Sequence, residues 1–376
     1  MKYIDLHCDT VMELYERRLK KQRENACAKG GIGSSPCCEM ENLIKNSLCI
    51  DMPKLKAGDA LMQAFACFSD MKALGSYDAS WDYVMHMIDL YEEMSFDAGI
   101  KPCRGSKDAE EMMQLAGSQT AGICADADIY GMLAVEKGSM NDIPAVKDDD
   151  IYGMLTVEDG GLINGKEDRL DCLYDRGVRL ITLTWNYENC LGYPNAPDPW
   201  EMRRGLKPFG KDIVEKMNEL KMIVDVSHLS DGGFYDVADI MKRAGRQFVA
   251  SHSCARALCA HPRNMTDDML KTLGNAGGIV GVNYYGQFLN NDGRSDAASI
   301  VEHIKYMINK AGIESVALGS DFDGFLGGSE IENAAKMPLL FDTMRKSGLS
   351  FTEIEKVAWK NAASLLQNTL QPPGAD

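Results

Sequence analysis

The amino-acid sequence predicts an α/β fold of the (β/α)8 TIM-barrel class, and two observations carry that expectation. Eight short apolar, β-prone runs alternate with segments of helical periodicity along the 376 residues, the rhythm of a parallel sheet whose strands are linked by helices. Five of those runs lead directly into residues able to hold a metal or move a proton: His7 with Asp9, then Glu158, His228, His252 and Asp321. All strands of such a barrel end on one face, so these side chains would meet there.

The first strand covers residues 3–6. His7 and Asp9 follow it two positions apart, so on extended backbone they project from the same face while Cys8 points away. Residues 11–22 have helical composition. Residues 24–45 are rich in Gly, Ser, Asn and Cys without a period, and read as an irregular insertion. Residues 48–52, ahead of Pro53, suit a short strand. The second barrel strand is expected at 64–68, and 81–94 carries apolar positions at helical spacing, with His86 as an ordinary helix residue.

A local duplication lies near 128–158: the hexapeptide at 128–133 recurs letter for letter at 150–155, and Val135-Glu136 matches Val157-Glu158. Two copies are too few for a solenoid. Only the second copy continues into Asp159-Gly160-Gly161, a helical segment at 166–175 and a strand at 178–184, so Glu158 is read as the strand-end carboxylate and Glu136 as a surface copy. Strands at 222–226, 247–250, 278–283 and 315–318 then alternate with helices at 212–220, 266–273 and 300–311. Together with 153–157 these make eight strands in one domain spanning residues 1–376. The last helix opens with Ser350 and Glu353 as a capping box and Leu349 and Ile354 as a hydrophobic staple. His261 and His303 are assigned to a loop and a helix surface.

Composition narrows the function classes. Apolar residues at 45% and charged residues at 26% are globular values,. A net charge of −16 opposes binding to phosphate backbones and anionic lipid,, and the one basic cluster, residues 17–21, reads as a solvated helix face. Nucleic acid and membrane are therefore not expected as partners. The first strand starts at Tyr3, which leaves no room for a signal segment, and twelve scattered cysteines read as reduced thiols,. Cys37-Cys38 lacks the spacing of a zinc finger. A cytoplasmic location is expected.

Five of the strand-end residues, His7, Asp9, Glu158, His228 and His252, could ligate two divalent ions. Imidazole and carboxylate without thiolate suit zinc, and a carboxylate such as Glu158 has two oxygens with which to bridge a pair. Two metals hold a hydroxide at neutral pH and polarise a carbonyl, the apparatus for hydrolysing an amide or ester. Asp321 would then move the proton.

The sequence resembles the membrane dipeptidase (renal dipeptidase) family of binuclear zinc peptidases, within the amidohydrolase-like barrels. The resemblance is carried by Ile4-Asp5-Leu6-His7-Cys8-Asp9-Thr10, Thr156-Val157-Glu158-Asp159-Gly160, Leu183-Thr184-Trp185-Asn186, Asp225-Val226-Ser227-His228, Ser251-His252-Ser253, Pro262-Arg263-Asn264 and Gly319-Ser320-Asp321-Phe322-Asp323-Gly324. It implies that His7 and Asp9 bind one Zn(2+), His228 and His252 the other, that Glu158 bridges them, and that Asp321 is the catalytic proton carrier. Arg263 matches the arginine that holds the substrate carboxylate, and Tyr285 a substrate-contacting tyrosine. Trp185 stands where animal members have a histidine that polarises the scissile carbonyl, and an indole N–H cannot become cationic. The expected activity is hydrolysis of dipeptides by a metal-bridging hydroxide, with tolerance of a C-terminal D-residue and a possible homodimer. The alternatives are a metal-dependent hydrolase of another amide or ester, such as a β-lactam or lactone, and a metal-holding protein that has lost catalysis.

Overall fold

A computed structural model describes residues 1–28, 40–123 and 150–371. Nine parallel strands form the sheet: β1 (Tyr3–Asp5), β2 (Ala60–Cys67), β3 (Lys101–Pro102), β4 (Tyr152–Glu158), β5 (Leu180–Thr182), β6 (Ile223–Asp225), β7 (Val249–Ser253), β8 (Ile279–Val282) and β9 (Val316–Leu318). Their order is β2-β1-β9-β8-β7-β6-β5-β4-β3, and β2 also pairs with β4 from Met62↔Tyr152 to Cys67↔Val157. That pairing closes eight strands into a TIM barrel. The two residues of β3 join only the start of β4, outside the ring.

Strands of a parallel barrel are covered on both faces and so read as apolar runs, which is why all eight are visible in the sequence. Every residue of the eight ring strands is buried. Close approach of neighbouring strands fixes two glycines: a Cβ at Gly281 or Gly319 would lie 2.1 Å or 1.8 Å from the Ser251 carbonyl oxygen. The helices of the expected βα units are present at Asp168–Asp175, Pro208–Glu219, Asp267–Asn275 and Ala297–Ala311, and the helix Tyr77–Ala98 contains the segment assigned from periodicity, with His86 outside the core. Ser350 and Glu353 form the expected capping box ahead of Phe351–Glu355.

Three expectations need correction. Residues 48–52 form no strand; Asp51 caps the helix Met52–Gly58 by accepting from the Lys54 N–H at 2.9 Å, and Pro53, which has no N–H to lose, sits in its first turn. The helix Thr10–Ala28 runs into the segment read as irregular from residue 24. His303 is not on a surface: it is buried between the Ala255 N–H, 3.0 Å from Nδ1, and the Leu289 carbonyl, 3.1 Å from Nε2, so an amphipathic helix turned it inward. Glu136, Cys37-Cys38 and the first copy of the duplication lie outside the described residues. The second copy is β4.

Candidate metal centre

The sequence-predicted site residues converge at the carboxyl ends of the strands. His7 and Asp9 follow β1, Glu158 ends β4, His228 follows β6, His252 lies within β7 and Asp321 follows β9. Several hold backbone conformations that ordinary residues avoid: His228 has φ 66°, Asp321 φ 63°, Asp323 φ 69° and Asp159 φ 70°. Such strain persists only where surrounding contacts enforce it, and it gathers at functional sites. Here it turns the chain sharply after β4, β6 and β9, which aims side chains back over the barrel mouth.

Glu158 sits at the centre with its two oxygens facing different partners. Oε1 lies 2.9 Å from His228 Nε2 and 3.5 Å from His252 Nε2; Oε2 lies 3.7 Å from His7 Nε2. His7 Nε2 is also 3.4 Å from Asp9 Oδ2 and 3.8 Å from Asp321 Oδ1. Ligand atoms of His7, Asp9 and Glu158 fall within 4.8 Å of one another, as do those of Glu158, His228 and His252, and of His7, His252 and Asp321. Both ring nitrogens of His7 and Oδ1 of Asp9 are buried without a hydrogen-bond partner. Buried polar atoms left without a partner are costly, and three carboxylates crowded with three imidazoles are a donor set for cations. The residues fit a metal centre.

The electrostatics agree. Burial raises the pKa of Glu158. Burial works against a charge on His7, but Asp9, with Glu158 and Asp321 behind it, outweighs it and pushes His7 up to about 10. Burial also raises Asp321, to about 7, with His7 opposing. His228 and His252 go the other way, held far below the usual histidine range by burial and by the positive charges of Arg263 and His7. A neutral imidazole is the form that binds metal. His228 Nδ1 is 3.1 Å from Asn186 Oδ1, an acceptor that places the ring hydrogen on Nδ1 and leaves Nε2 toward Glu158.

A cavity of about 420 Å³ opens over these groups, lined among others by Phe68, Trp185, Arg263, Tyr285, Phe288 and Phe325. Trp185 packs against Phe68 at 4.7 Å between ring centres, and Tyr285 against Phe325 at 5.2 Å, so two aromatic pairs line the cavity around the metal-ligand cluster. Arg263 is buried; it donates to Ser253 Oγ at 3.1 Å and to the His252 carbonyl at 3.0 Å, while its Nε has no partner. A cavity of about 440 Å³ near Arg104 and Leu370 contains none of the metal-ligand cluster.

Sequence reasoning missed four contributors. Asn283 donates to Asp321 Oδ2 at 2.8 Å; Asn186 orients His228; Gly324 lies where a Cβ would come 2.2 Å from Asp9 Oδ2; and His261, placed correctly in a loop, lines the cavity and accepts the Arg263 N–H at 3.1 Å. Asn186, Asn283 and Gly324 lie within or beside conspicuous motifs, but an uncharged residue gives no signal of its own.

Comparison with known proteins places this geometry. The pattern of "Membrane dipeptidase (Peptidase family M19)" matches residues 1–371. An uncharacterized protein of Klebsiella pneumoniae, from the pqqA 5′ region, is 40% identical over 221 residues, 56% of this chain and 79% of its own. The dipeptidase tcpJ of Claviceps purpurea is 32% identical over 193 residues, 51% of this chain and 44% of its own; the match thus spans less than half of that relative. Among solved structures, a metallopeptidase from Rhodobacter sphaeroides liganded with a phosphinate mimic of L-Ala-D-Ala superposes with a TM-score of 0.70 at 22% identity, covering 98% of this chain and 99% of its own. The dipeptidase AC, another M19 metallopeptidase, gives 0.72 at 22% identity over the same shares. No helix among the described residues is long and apolar enough to cross a membrane. Matched along almost its entire length and folded as those M19 structures are, the chain belongs to the membrane dipeptidase family, the metallopeptidases of family M19 that hydrolyse peptide bonds.

Proposed function

We propose that this protein is a two-zinc dipeptidase in which His7 and Asp9 hold one ion, His228 and His252 the other, and Glu158 lies between them. The observation that carries the reading is the division of Glu158: one oxygen toward the two histidines after β6 and in β7, the other toward His7. Two such ions supply a nucleophile from water at neutral pH and polarise the scissile carbonyl. Asp321, its pKa pushed up to about 7 by burial, is suited to take a proton from the attacking water and return it to the leaving amine. Asn283 holds that carboxylate in place. Arg263 offers its unpartnered Nε, and the remaining hydrogens of its fork, to the substrate's terminal carboxylate,. Anchoring that end against a metal centre limits the substrate to a short peptide. Trp185 and Phe68 on one side and Tyr285 and Phe325 on the other would flank its two side chains. A reducing cytoplasm suits the eight described free cysteines,.

The test is hydrolysis of a panel of L,L- and L,D-dipeptides by purified protein, before and after chelation and zinc replacement, with a metal count. Turnover lost on chelation and restored by two equivalents of zinc is the expected result. Two bound ions without turnover on any member of the panel would refute the dipeptide assignment. The L,D members test whether a C-terminal D-residue is accepted.

A further inference from the structure

We infer that Asp225 and Ser251 decide which nitrogen of His252 carries the ring hydrogen, and thereby make Nε2 its metal-binding atom; the inference rests on the two-zinc reading. Asp225 ends β6 and is fully buried. Its carboxylate receives four hydrogen bonds: Oδ1 accepts from the backbone N–H groups of Ser227 and Ser251, both at 2.9 Å, and Oδ2 accepts from Thr182 Oγ1 and Ser251 Oγ, both at 2.6 Å. Ser251 Oγ is in turn 2.7 Å from His252 Nδ1.

A serine hydroxyl has one hydrogen. Given to Asp225, it leaves Oγ only able to accept from the ring, so Nδ1 must be the N–H and Nε2 keeps its lone pair. Ser227 Oγ, 3.4 Å from Ser251 Oγ, can add a second donor to Ser251 but does not alter this direction. Nε2 is the nitrogen that faces Glu158 and, at 3.2 Å, His228 Nε2. Asp225 and Ser251 are therefore positioning residues: neither adjoins the cavity, and both act through His252.

Direction is what makes the proposal testable. In Asp225→Asn the two backbone N–H groups at Oδ1 demand the amide oxygen, which forces the NH2 into the Oδ2 position. There it donates to Thr182 and Ser251, both of which can accept, so size and packing are retained. The Ser251 hydrogen is then released to His252 Nδ1, and the ring hydrogen moves to Nε2, the wrong nitrogen for a metal. Ser251→Ala removes the link and leaves the ring without a preference. The double variant cannot relay the reversed direction.

The experiment is a zinc titration of metal-free protein against a chromophoric chelator for wild type, D225N, S251A and D225N/S251A, with circular dichroism to confirm folding. Nitrogen NMR of the histidine rings, taken without metal, reads the hydrogen position directly. We expect wild-type His252 as the Nδ1–H form and D225N as the Nε2–H form. Zinc affinity should fall about 10- to 100-fold in D225N, less in S251A, and return in the double variant to the S251A level. Wild-type binding with D225N unchanged, or a double variant weaker than D225N, overturns this inference alone. A wild type that takes up no zinc overturns the two-zinc reading with it. If D225N does not fold, the wild-type ring spectrum decides by itself: an Nε2–H signal for His252 refutes the assignment.

Discussion

Gly324 closes the turn after β9, and replacing it with alanine probes the metal-ligand cluster by steric contact alone. Its backbone is not in the left-handed region, so alanine meets no conformational strain there. The added Cβ would stand 2.2 Å from Asp9 Oδ2 and 2.3 Å from Asp321 Oδ1. Ordinary contact begins near 3.4 Å, so each oxygen must retreat by about 1.1 to 1.2 Å. Metal sites tolerate deviations of only about 0.2 Å in ligand distance, and a misplacement of about 1 Å in a reacting constellation costs on the order of 100-fold in rate, or about 2.7 kcal/mol of transition-state stabilisation. The expected outcome for Gly324→Ala is a fall of about 100-fold in kcat/KM for a dipeptide, reduced zinc content, and thermal stability of the metal-free protein close to that of wild type. Steady-state kinetics and metal analysis read the first two, and a thermal melt in chelator the third. Activity within about threefold of wild type, far short of that loss, would show that Asp9 and Asp321 need not occupy the positions described, and would remove the geometric basis for their roles.

Arg263→Ala should lower kcat/KM for dipeptides by about 10- to 100-fold, the loss of a hydrogen bond to a charged partner, and should barely affect dipeptide amides, which lack the carboxylate; equal losses on both substrates would deny Arg263 that role. Asp159, its pKa pushed up to about 6 by burial against hydrogen bonds from Asn189 and Gly161, binds its proton more tightly folded than unfolded, so the folded protein loses stability as pH rises from about 4 to 6. Asp159→Asn, which keeps both acceptor contacts, should therefore gain about 1 to 3 kcal/mol over wild type at pH 7 and nothing below about pH 4, as denaturant melts at the two pH values would measure. Ser350→Ala breaks the capping box and should cost about 0.5 to 2 kcal/mol of unfolding free energy with kcat/KM unchanged; an activity loss would tie the last helix to the site.

The barrel was legible because each ring strand is buried on both faces and so leaves an apolar run, and because the residues needed at the mouth follow those runs directly. His7, Glu158, His228 and Asp321 stand out for that reason alone. His252 shows the limit of boundary reading: β7 continues through it to Ser253 with a shift in its pairing to β8, which an apolar pattern ending at Ala250 does not reveal. Asp225 and Asp159 were invisible as individuals. In a chain with 56 acidic residues, nothing local separates a carboxylate that holds four buried donors from one on the surface. The helix Met52–Gly58 was misread because Leu48 to Met52 is apolar enough for a strand, and only the capping contact of Asp51 decides otherwise.

The duplicated hexapeptide confronts the folding chain with a choice between two equal candidates for one place. Either copy supplies the same tyrosine, glycine and methionine to pair with β2, and each leads to a glutamate at the same distance. The residues after the second copy break the tie. Asp159 turns left-handed, and Gly160 and Gly161 pass so close to Leu191 and Tyr77 that a Cβ would come within 2.7 Å and 2.4 Å of them, whereas Lys137 and Gly138 come after Glu136. The frame of the barrel is thus chosen by its exit turn, not by the strand that enters it, and a gene carrying such a duplication can spare one copy for drift while the turn keeps the other in service.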